Sequence, residues 1–186
     1  MRAGHAAAIL LFCSGAAEPT HRYALGPGSD VSAKVGFFGL ASKTATFPRM
    51  SGSIALQPGR LDTINLDVTL DATALKAGDS VTQKRLMGKD FFDVARYPTI
   101  AFSGRRMVMS GPLTATVDGQ ITARGVTRPT RLDVTFDQPP SRATGRDPVG
   151  FTARTVIDRR DFGMTAYSFI VGKKVAITIK AQMVPT

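Results

Sequence analysis

A strict alternation of apolar and polar side chains over residues 64–71 is the feature that most constrains the fold of this chain. Successive side chains of a β-strand point to opposite faces, so this pattern predicts a strand with one buried face and one solvated face. The same alternation recurs over residues 31–38, 132–137 and 175–181. Strands of this kind bury their apolar faces against one another. The chain is therefore predicted to be all-β, either a sandwich or a closed barrel.

The number of these strands and the sizes of their side chains favour a barrel that contains a cavity. Roughly eight to ten alternating segments are joined mostly by hairpins, and Asp118-Gly119 is predicted to form a tight hairpin turn. An eight-stranded barrel is just wide enough to be filled by side chains or to hold one slender ligand. Small residues on the predicted inner faces favour the cavity, namely Ala33, Gly36, Ala101, Ala115, Ala153 and Ala181. The alternative is a packed sandwich core that interleaves small and large residues.

Residues 79–94 interrupt the alternation and predict a cover over one end of the barrel. Asp79 or Ser80 can cap a short helix whose apolar residues face the barrel. Phe91 and Phe92 then form a compact apolar group that either closes the core or contacts a ligand. One short helix over an open end is the expected result.

Residues 1–17 have the organisation of a secretory signal peptide. The basic Arg2 precedes a short apolar segment, and small residues up to Ala17 predict cleavage at that point. The alternatives are a disordered start, a misassigned initiation codon, or a lipoprotein signal with a lipidated Cys13. Cleavage removes the only cysteine and leaves residues 18–186 as a single secreted domain.

Positive charge dominates the chain, with a net charge of +10. Loss of Arg2 with the signal peptide leaves 23 Lys+Arg against 14 Asp+Glu, or +9. This balance favours anionic partners such as phosphates or acidic lipid surfaces. Nucleic acid is not an expected partner, because the pairs Arg105-Arg106 and Arg159-Arg160 lack the interleaved aromatic residues that stack on bases.

The sequence offers little for catalysis or metal binding. His21 is the only histidine after the predicted cleavage site, so neither a metal site nor a Ser-His-Asp triad can be assembled in the usual way. Asp158 and Asp161 flank two arginines, which favours a salt-bridged turn over an acid–base pair. We expect no catalytic residue and no metal. An enzyme acting on a lipid or an amide is the weaker alternative, and these two carboxylates are its only visible candidates.

Four segments match the sequence patterns of a known family. Residues 90–102 contain Asp-Phe-Phe-Asp-Val, then Tyr-Pro and a phenylalanine, and residues 125–129 read Gly-Val-Thr-Arg-Pro. Residues 158–163 read Asp-Arg-Arg-Asp-Phe-Gly, and residues 171–177 read Val-Gly-Lys-Lys-Val-Ala-Ile. In this order they resemble the signatures of the YceI-like family of small periplasmic lipid-binding barrels.

The resemblance implies a lipocalin-like antiparallel eight-stranded β-barrel with a short helix at one end. It also implies a periplasmic protein that binds a long isoprenoid or similar amphiphile in an internal tunnel. A polyprenyl phosphate, a quinone or a fatty-acid-like molecule fits that description, and no cofactor is expected beyond such a bound lipid or quinone. The candidates for the tunnel lining are Phe37, Leu66, Val68, Phe102, Val117, Phe136, Phe151 and Ile177.

The candidates for contact with the ligand's head group are Arg160, Lys173 and Lys174. The family often has a histidine motif where this chain has Phe37-Phe38-Gly39-Leu40, so the identity of the head group stays open, and the two lysines favour an anionic one. The alternative from another class is a structural or adaptor barrel with a filled core that binds anionic membrane surfaces through its basic face. A monomer and a homodimer both stay open.

Overall fold

The computed structural model describes residues 19–186, so the predicted signal peptide and Cys13 lie outside the described residues. Eleven strands and one α-helix are present in this part of the chain. The strands are β1 (His21–Leu25), β2 (Asp30–Phe37), β3 (Ala41–Phe47), β4 (Met50–Leu56), β5 (Thr63–Asp71), β6 (Lys76–Ala77), β7 (Thr99–Met109), β8 (Thr114–Ala123), β9 (Val126–Phe136), β10 (Val149–Asp158) and β11 (Val171–Pro185). The helix α1 is Ser80–Met87, and short 3₁₀ turns occur at Ala72–Ala74, Pro140–Arg142 and Arg159–Phe162.

The strands close into one antiparallel barrel. Both β1 and β2 pair with β11, so together they form one barrel strand that is broken at residues 26–29. In the same way β3 and β4 form one strand, because β3 pairs with β2 and β4 pairs with β1. The order continues through β5, β7, β8, β9, β10 and β11, which closes onto β1. The predicted eight-stranded lipocalin-like barrel is confirmed.

The hairpin predicted at Asp118-Gly119 is wrong, because β8 runs unbroken through both residues. The turn between β8 and β9 is Arg124-Gly125, whose positive φ angles of 49° and 72° are those of a tight two-residue hairpin. Gly119 serves a different purpose. A Cβ atom at this position would clash with the backbone carbonyl oxygen of Ser103 on β7, and it would lie 2.7 Å from the ring of Phe102. Glycine is therefore required at this position by close packing inside the barrel wall.

The predicted helix is present and covers one end of the barrel. Asp79 caps it, since its carboxylate accepts a hydrogen bond from the backbone N–H of Thr82 at 2.7 Å. This hydrogen bond is the main reason that the pKa of Asp79 is lowered to about 2, and a hydrogen bond from Lys43 is the second reason. The barrel end that α1 covers is called the open end below, because side chains do not fill the interior there. Within residues 19–186, no helix has the length and apolar character needed to cross a membrane.

Two apolar clusters divide the barrel interior along its axis. The cluster at the end opposite α1, the closed end, packs Tyr23, Met107 and Met183 together, each at most 2% exposed. The cluster at the open end includes Phe91, whose neighbour Phe92 packs edge-on against Phe47 at 5.6 Å. The closed-end packing is the reason that the interior is filled on one side and open on the other.

Candidate functional site

The open half of the barrel contains a cavity of about 420 Å³. All eight barrel strands contribute lining residues, and α1, the pair Phe91-Phe92 and the segment 164–170 cover it. The lining is almost entirely apolar, with a few polar and charged side chains. The volume falls within the roughly 300–1,000 Å³ that is usual for small-molecule sites. Such a cavity is suited to an apolar chain rather than to a polar substrate.

Six of the eight predicted lining residues border this cavity: Phe37, Leu66, Val68, Phe102, Phe151 and Ile177. Val117 and Phe136 do not border it, and for these two the prediction is wrong. They are 3% and 7% exposed and belong to the closed-end cluster, where Phe136 packs against Phe151 at 6.2 Å between ring centroids. The alternation of a strand tells which face a residue occupies, but it does not tell the height along the barrel axis.

Only some of the small residues on which the predicted cavity was based border the observed cavity. Ala33 and Ala101 border the cavity. Ala115 and Ala153 instead lie in the closed-end cluster, at 3% and 0% exposure. Their small size allows close packing between large neighbours at that end, which is the opposite of the predicted effect.

None of the three predicted head-group residues borders the cavity. Arg160 lies at the surface and donates to the carboxylate of Asp158 at 2.7 Å. This contact is the main reason that the pKa of Asp158 lies well below its ordinary value. Lys174 is 4.0 Å from the same carboxylate, and Lys173 is exposed. Arg160 and Lys174 are therefore held on the outer face of the barrel by Asp158.

Arg159, the neighbour of Arg160, is the arginine that borders the cavity, although it was not among the predicted site residues. It is 3% exposed, its Nε donates to the carbonyl oxygen of Gly172 at 2.9 Å, and its Nη2 donates to that of Val171 at 3.0 Å. A further bond joins it to the carbonyl oxygen of Met164. Burial lowers the pKa of its guanidinium, and no ion pair in residues 19–186 includes it.

Two more cations border the cavity at its mouth, and each lies over an aromatic ring. Lys43 lies 5.5 Å from the ring centroid of Phe37, and Arg85 lies 5.3 Å from that of Tyr167. The carboxylate of Asp79 neutralises Lys43 at 3.0 Å. Arg85 and Arg159 have no such partner in the described part of the chain, so the mouth has a net positive charge.

Little in the sequence indicates these mouth residues. Lys43 and Arg85 occur in a hairpin and on a helix that look like ordinary solvated surface. The Asp-Arg-Arg-Asp-Phe-Gly segment contains Arg159, but two adjacent arginines cannot be told apart by composition. Only the 3₁₀ turn over Arg159–Phe162, which directs one arginine inward and the other outward, separates them.

The two carboxylates considered as an acid–base pair, Asp158 and Asp161, lie away from the cavity. Asp158 caps the 3₁₀ turn through the backbone N–H of Arg160, and neither it nor Asp161 borders the cavity. No group of three or more His, Cys, Asp or Glu side chains suited to a metal ion occurs in residues 19–186. The chemistry available in the cavity is therefore desolvation of an apolar chain and attraction of negative charge at the mouth.

A closed antiparallel barrel with an apolar cavity and a helix over one end defines the class of lipocalin-like barrel proteins. Comparison with known protein families agrees with that class. The YceI-like domain matches residues 24–183, and the chain therefore belongs to the YceI-like family.

Relatives and solved structures support the same assignment. A UPF0312 protein of Pseudomonas fluorescens is 28% identical over 131 residues, which are 70% of this chain and 68% of the relative. The crystal structure of Burkholderia cenocepacia BcnA superposes with a TM-score of 0.74 at 22% identity, covering 83% of this chain and 95% of BcnA. A polyisoprenoid binding domain from Saccharophagus degradans gives 0.66 at 12% identity and covers 88% and 98%. At these identities the two structures establish the fold alone.

Proposed function

We propose that this protein binds, without catalysis, one amphiphile with a long and slender hydrocarbon chain. The observation that carries the proposal is the apolar cavity of about 420 Å³, whose mouth includes two arginines, Arg85 and Arg159, that make no ion pair within residues 19–186. The ligand is of the isoprenoid type, such as a polyprenyl phosphate or a quinone, or is fatty-acid-like. The polyisoprenoid binding domain of Saccharophagus degradans, which shares the fold, supports the isoprenoid class.

The binding energy comes from removal of the chain from water. Each buried CH₂ group contributes roughly 0.8 kcal/mol, and part of this gain offsets the cost of ordering the ligand. The closed-end cluster stops the chain, so a ligand enters tail first and leaves its head group at the open end. Arg85 and Arg159 favour an anionic or strongly polar head group at that position.

The proposal places the protein in the periplasm, and the signal-peptide pattern of the sequence supports that location. Removal of residues 1–17 as a signal peptide would bring the protein to the periplasm, where it carries its lipid as a monomer or homodimer and meets anionic membrane surfaces. The alternative function, a structural or adaptor barrel, requires a core filled by side chains. The cavity inside the barrel therefore disfavours that alternative. No cofactor other than the bound lipid is part of the proposal.

The test is uptake of ligand by the delipidated full chain. A dansyl-labelled fatty acid should gain fluorescence in the cavity, and polyprenyl phosphate, ubiquinone or oleate should displace it. No uptake of the dansyl probe, together with no binding of the three lipids by calorimetry, would contradict the proposal.

A matched pair of ligands tests the role of the mouth. Oleate and oleyl alcohol share one chain and differ in charge at the head group. Arg85→Gln should weaken oleate by up to about fivefold, which corresponds to the ~0.2–1 kcal/mol of an exposed ion pair, and leave oleyl alcohol unchanged. Arg154→Gln, on the outer face of β10, is the control and should change neither. Equal weakening of both ligands by Arg85→Gln would contradict an electrostatic role.

A further inference from the structure

Five large apolar side chains are exposed around the mouth of the cavity. Leu40 and Phe169 are fully exposed, and Phe38, Val81 and Tyr167 are 63%, 61% and 41% exposed. Val81 and Tyr167 themselves border the cavity, and the other three lie in the loops that adjoin it. These five residues are called the apolar rim. Exposed apolar groups that cluster at one place mark an interaction surface.

The two loops of the apolar rim are joined into one unit. The loop 38–40 between β2 and β3 contacts the segment 164–170 through a hydrogen bond from the N–H of Phe38 to the carbonyl oxygen of Ile170 at 2.8 Å. Phe38 and Tyr167 both have left-handed backbone conformations, with φ of 52° and 55°. Such angles are unfavourable for residues with large side chains and are concentrated at functional sites. Phe38 packs edge-on against Phe37 at 4.6 Å between ring centroids, and Tyr167 stacks on Phe91 at 6.0 Å. The fold therefore holds both partly exposed rings in place at the mouth at a conformational cost.

Cationic side chains surround the apolar rim. Lys84 and Arg85 are exposed on α1, beside Val81. Lys173 is exposed on β11, two residues from Val171, which pairs with Phe37 at the base of the loop 38–40. Aromatic and aliphatic groups at the centre with lysine and arginine around them are the composition of surfaces that lie on anionic bilayers. A second copy of this chain would bring the same cations face to face, which disfavours self-association through this surface.

We propose that the apolar rim inserts into the interfacial region of an anionic lipid bilayer, so that the mouth of the cavity faces the membrane. Leu40 and Phe169 enter the bilayer, and Lys84, Arg85 and Lys173 contact the lipid head groups. A hydrocarbon chain then passes between bilayer and cavity without crossing water. The purpose of the contact rests on the proposed lipid binding, whereas the contact itself is measurable with an empty cavity.

The chain contains no tryptophan, so one can be introduced as a unique reporter. Phe169→Trp should give a blue-shifted emission on addition of vesicles of phosphatidylglycerol and phosphatidylcholine in equal parts, and brominated lipids should quench it. Pure phosphatidylcholine vesicles should bind at least about tenfold more weakly. Emission that stays unshifted on vesicles that sediment the protein would overturn the proposal, because the rim would then not be inserted.

Sedimentation of the full chain with the same anionic vesicles tests the named residues. The double variant Leu40→Ser/Phe169→Ser should bind at least about tenfold more weakly than the unmodified chain. Val108→Ser removes an exposed apolar side chain, 41% exposed, near the closed end and should leave binding unchanged. Equal binding by the double variant and the unmodified chain would overturn the proposal, since the basic surface alone would then hold the protein.

Two further readouts distinguish membrane insertion of the rim from ligand uptake and from self-association. The double variant should still take up the dansyl-labelled fatty acid from solution, because its cavity is intact. Uptake by the double variant with loss of vesicle binding supports the membrane surface, whatever ligand the cavity prefers. A mass that rises with concentration, returns to the monomer in the double variant and comes with no vesicle binding would assign the rim to a homodimer and overturn the proposal.

Discussion

Filling the cavity from its own wall should abolish ligand binding and leave the barrel folded. Ala33 lies on β2, opposite Ala45 of β3 and Ile177 of β11, and all three border the cavity. Ala33→Phe adds six ring carbons in the space where ligand carbons would lie. At about 0.8 kcal/mol per displaced carbon, the ligand loses up to about 5 kcal/mol, or more than three powers of ten in Kd. The new ring fills empty space, so the free energy of unfolding should change little.

The dansyl-labelled fatty acid provides the assay, with urea denaturation as the check on folding. Ala176→Phe is the matched control, because it adds the same ring to the exposed face of the neighbouring strand β11. The control should bind the probe as the unmodified chain does. If folded Ala33→Phe bound the probe with unchanged affinity, ligand binding inside this cavity would be refuted.

Three further predictions concern the residues around the cavity. Arg159→Met removes the guanidinium that donates hydrogen bonds to three backbone carbonyl oxygens, so the free energy of unfolding should fall by about 3 kcal/mol in urea denaturation. An unchanged midpoint of unfolding would contradict this. Gly119→Ala places a Cβ atom against the carbonyl oxygen of Ser103 and the ring of Phe102, and it should cost about 1–3 kcal/mol in the same measurement, whereas unchanged stability would show that β8 is not closely packed there. Asp79 has its pKa lowered to about 2 in the folded chain, so its contribution to α1 is present above pH ~4 and lost as the pH falls towards 2. Protection of the Thr82 amide from hydrogen exchange should decline over that range, and Asp79→Asn should remove the dependence.

The alternation of the strands made the barrel predictable because it reflects burial on a single face. Residues 64–71 became β5, and the helix capped by Asp79 formed over one end. The prediction of a tight turn at Asp118-Gly119 was wrong because glycine is typical both of hairpin turns and of positions where neighbouring strands approach closely. The close contact with Ser103 and Phe102, which decides between the two, comes from a different strand.

The site was less predictable, because its position depends on packing between distant strands. Val117 and Phe136 have the correct inward phase, but they lie among the large side chains that fill the closed end. Arg159 and Arg160 are adjacent in sequence, and the 3₁₀ turn directs only the first into the cavity. The positions of the mouth residues Lys43 and Arg85 depend on how one hairpin and one helix pack together. The local sequence pattern does not predict that packing.

Binding of one lipid inside the barrel can be measured by native mass spectrometry of the delipidated full chain after incubation with polyprenyl phosphate, ubiquinone or oleate. One added mass, equal to a single lipid molecule, is expected on the unmodified chain and on Ala176→Phe. The same mass should be absent from Ala33→Phe. Detection of the unliganded mass alone with all three lipids, or an equal amount of complex in Ala33→Phe, would contradict a lipid held inside the barrel.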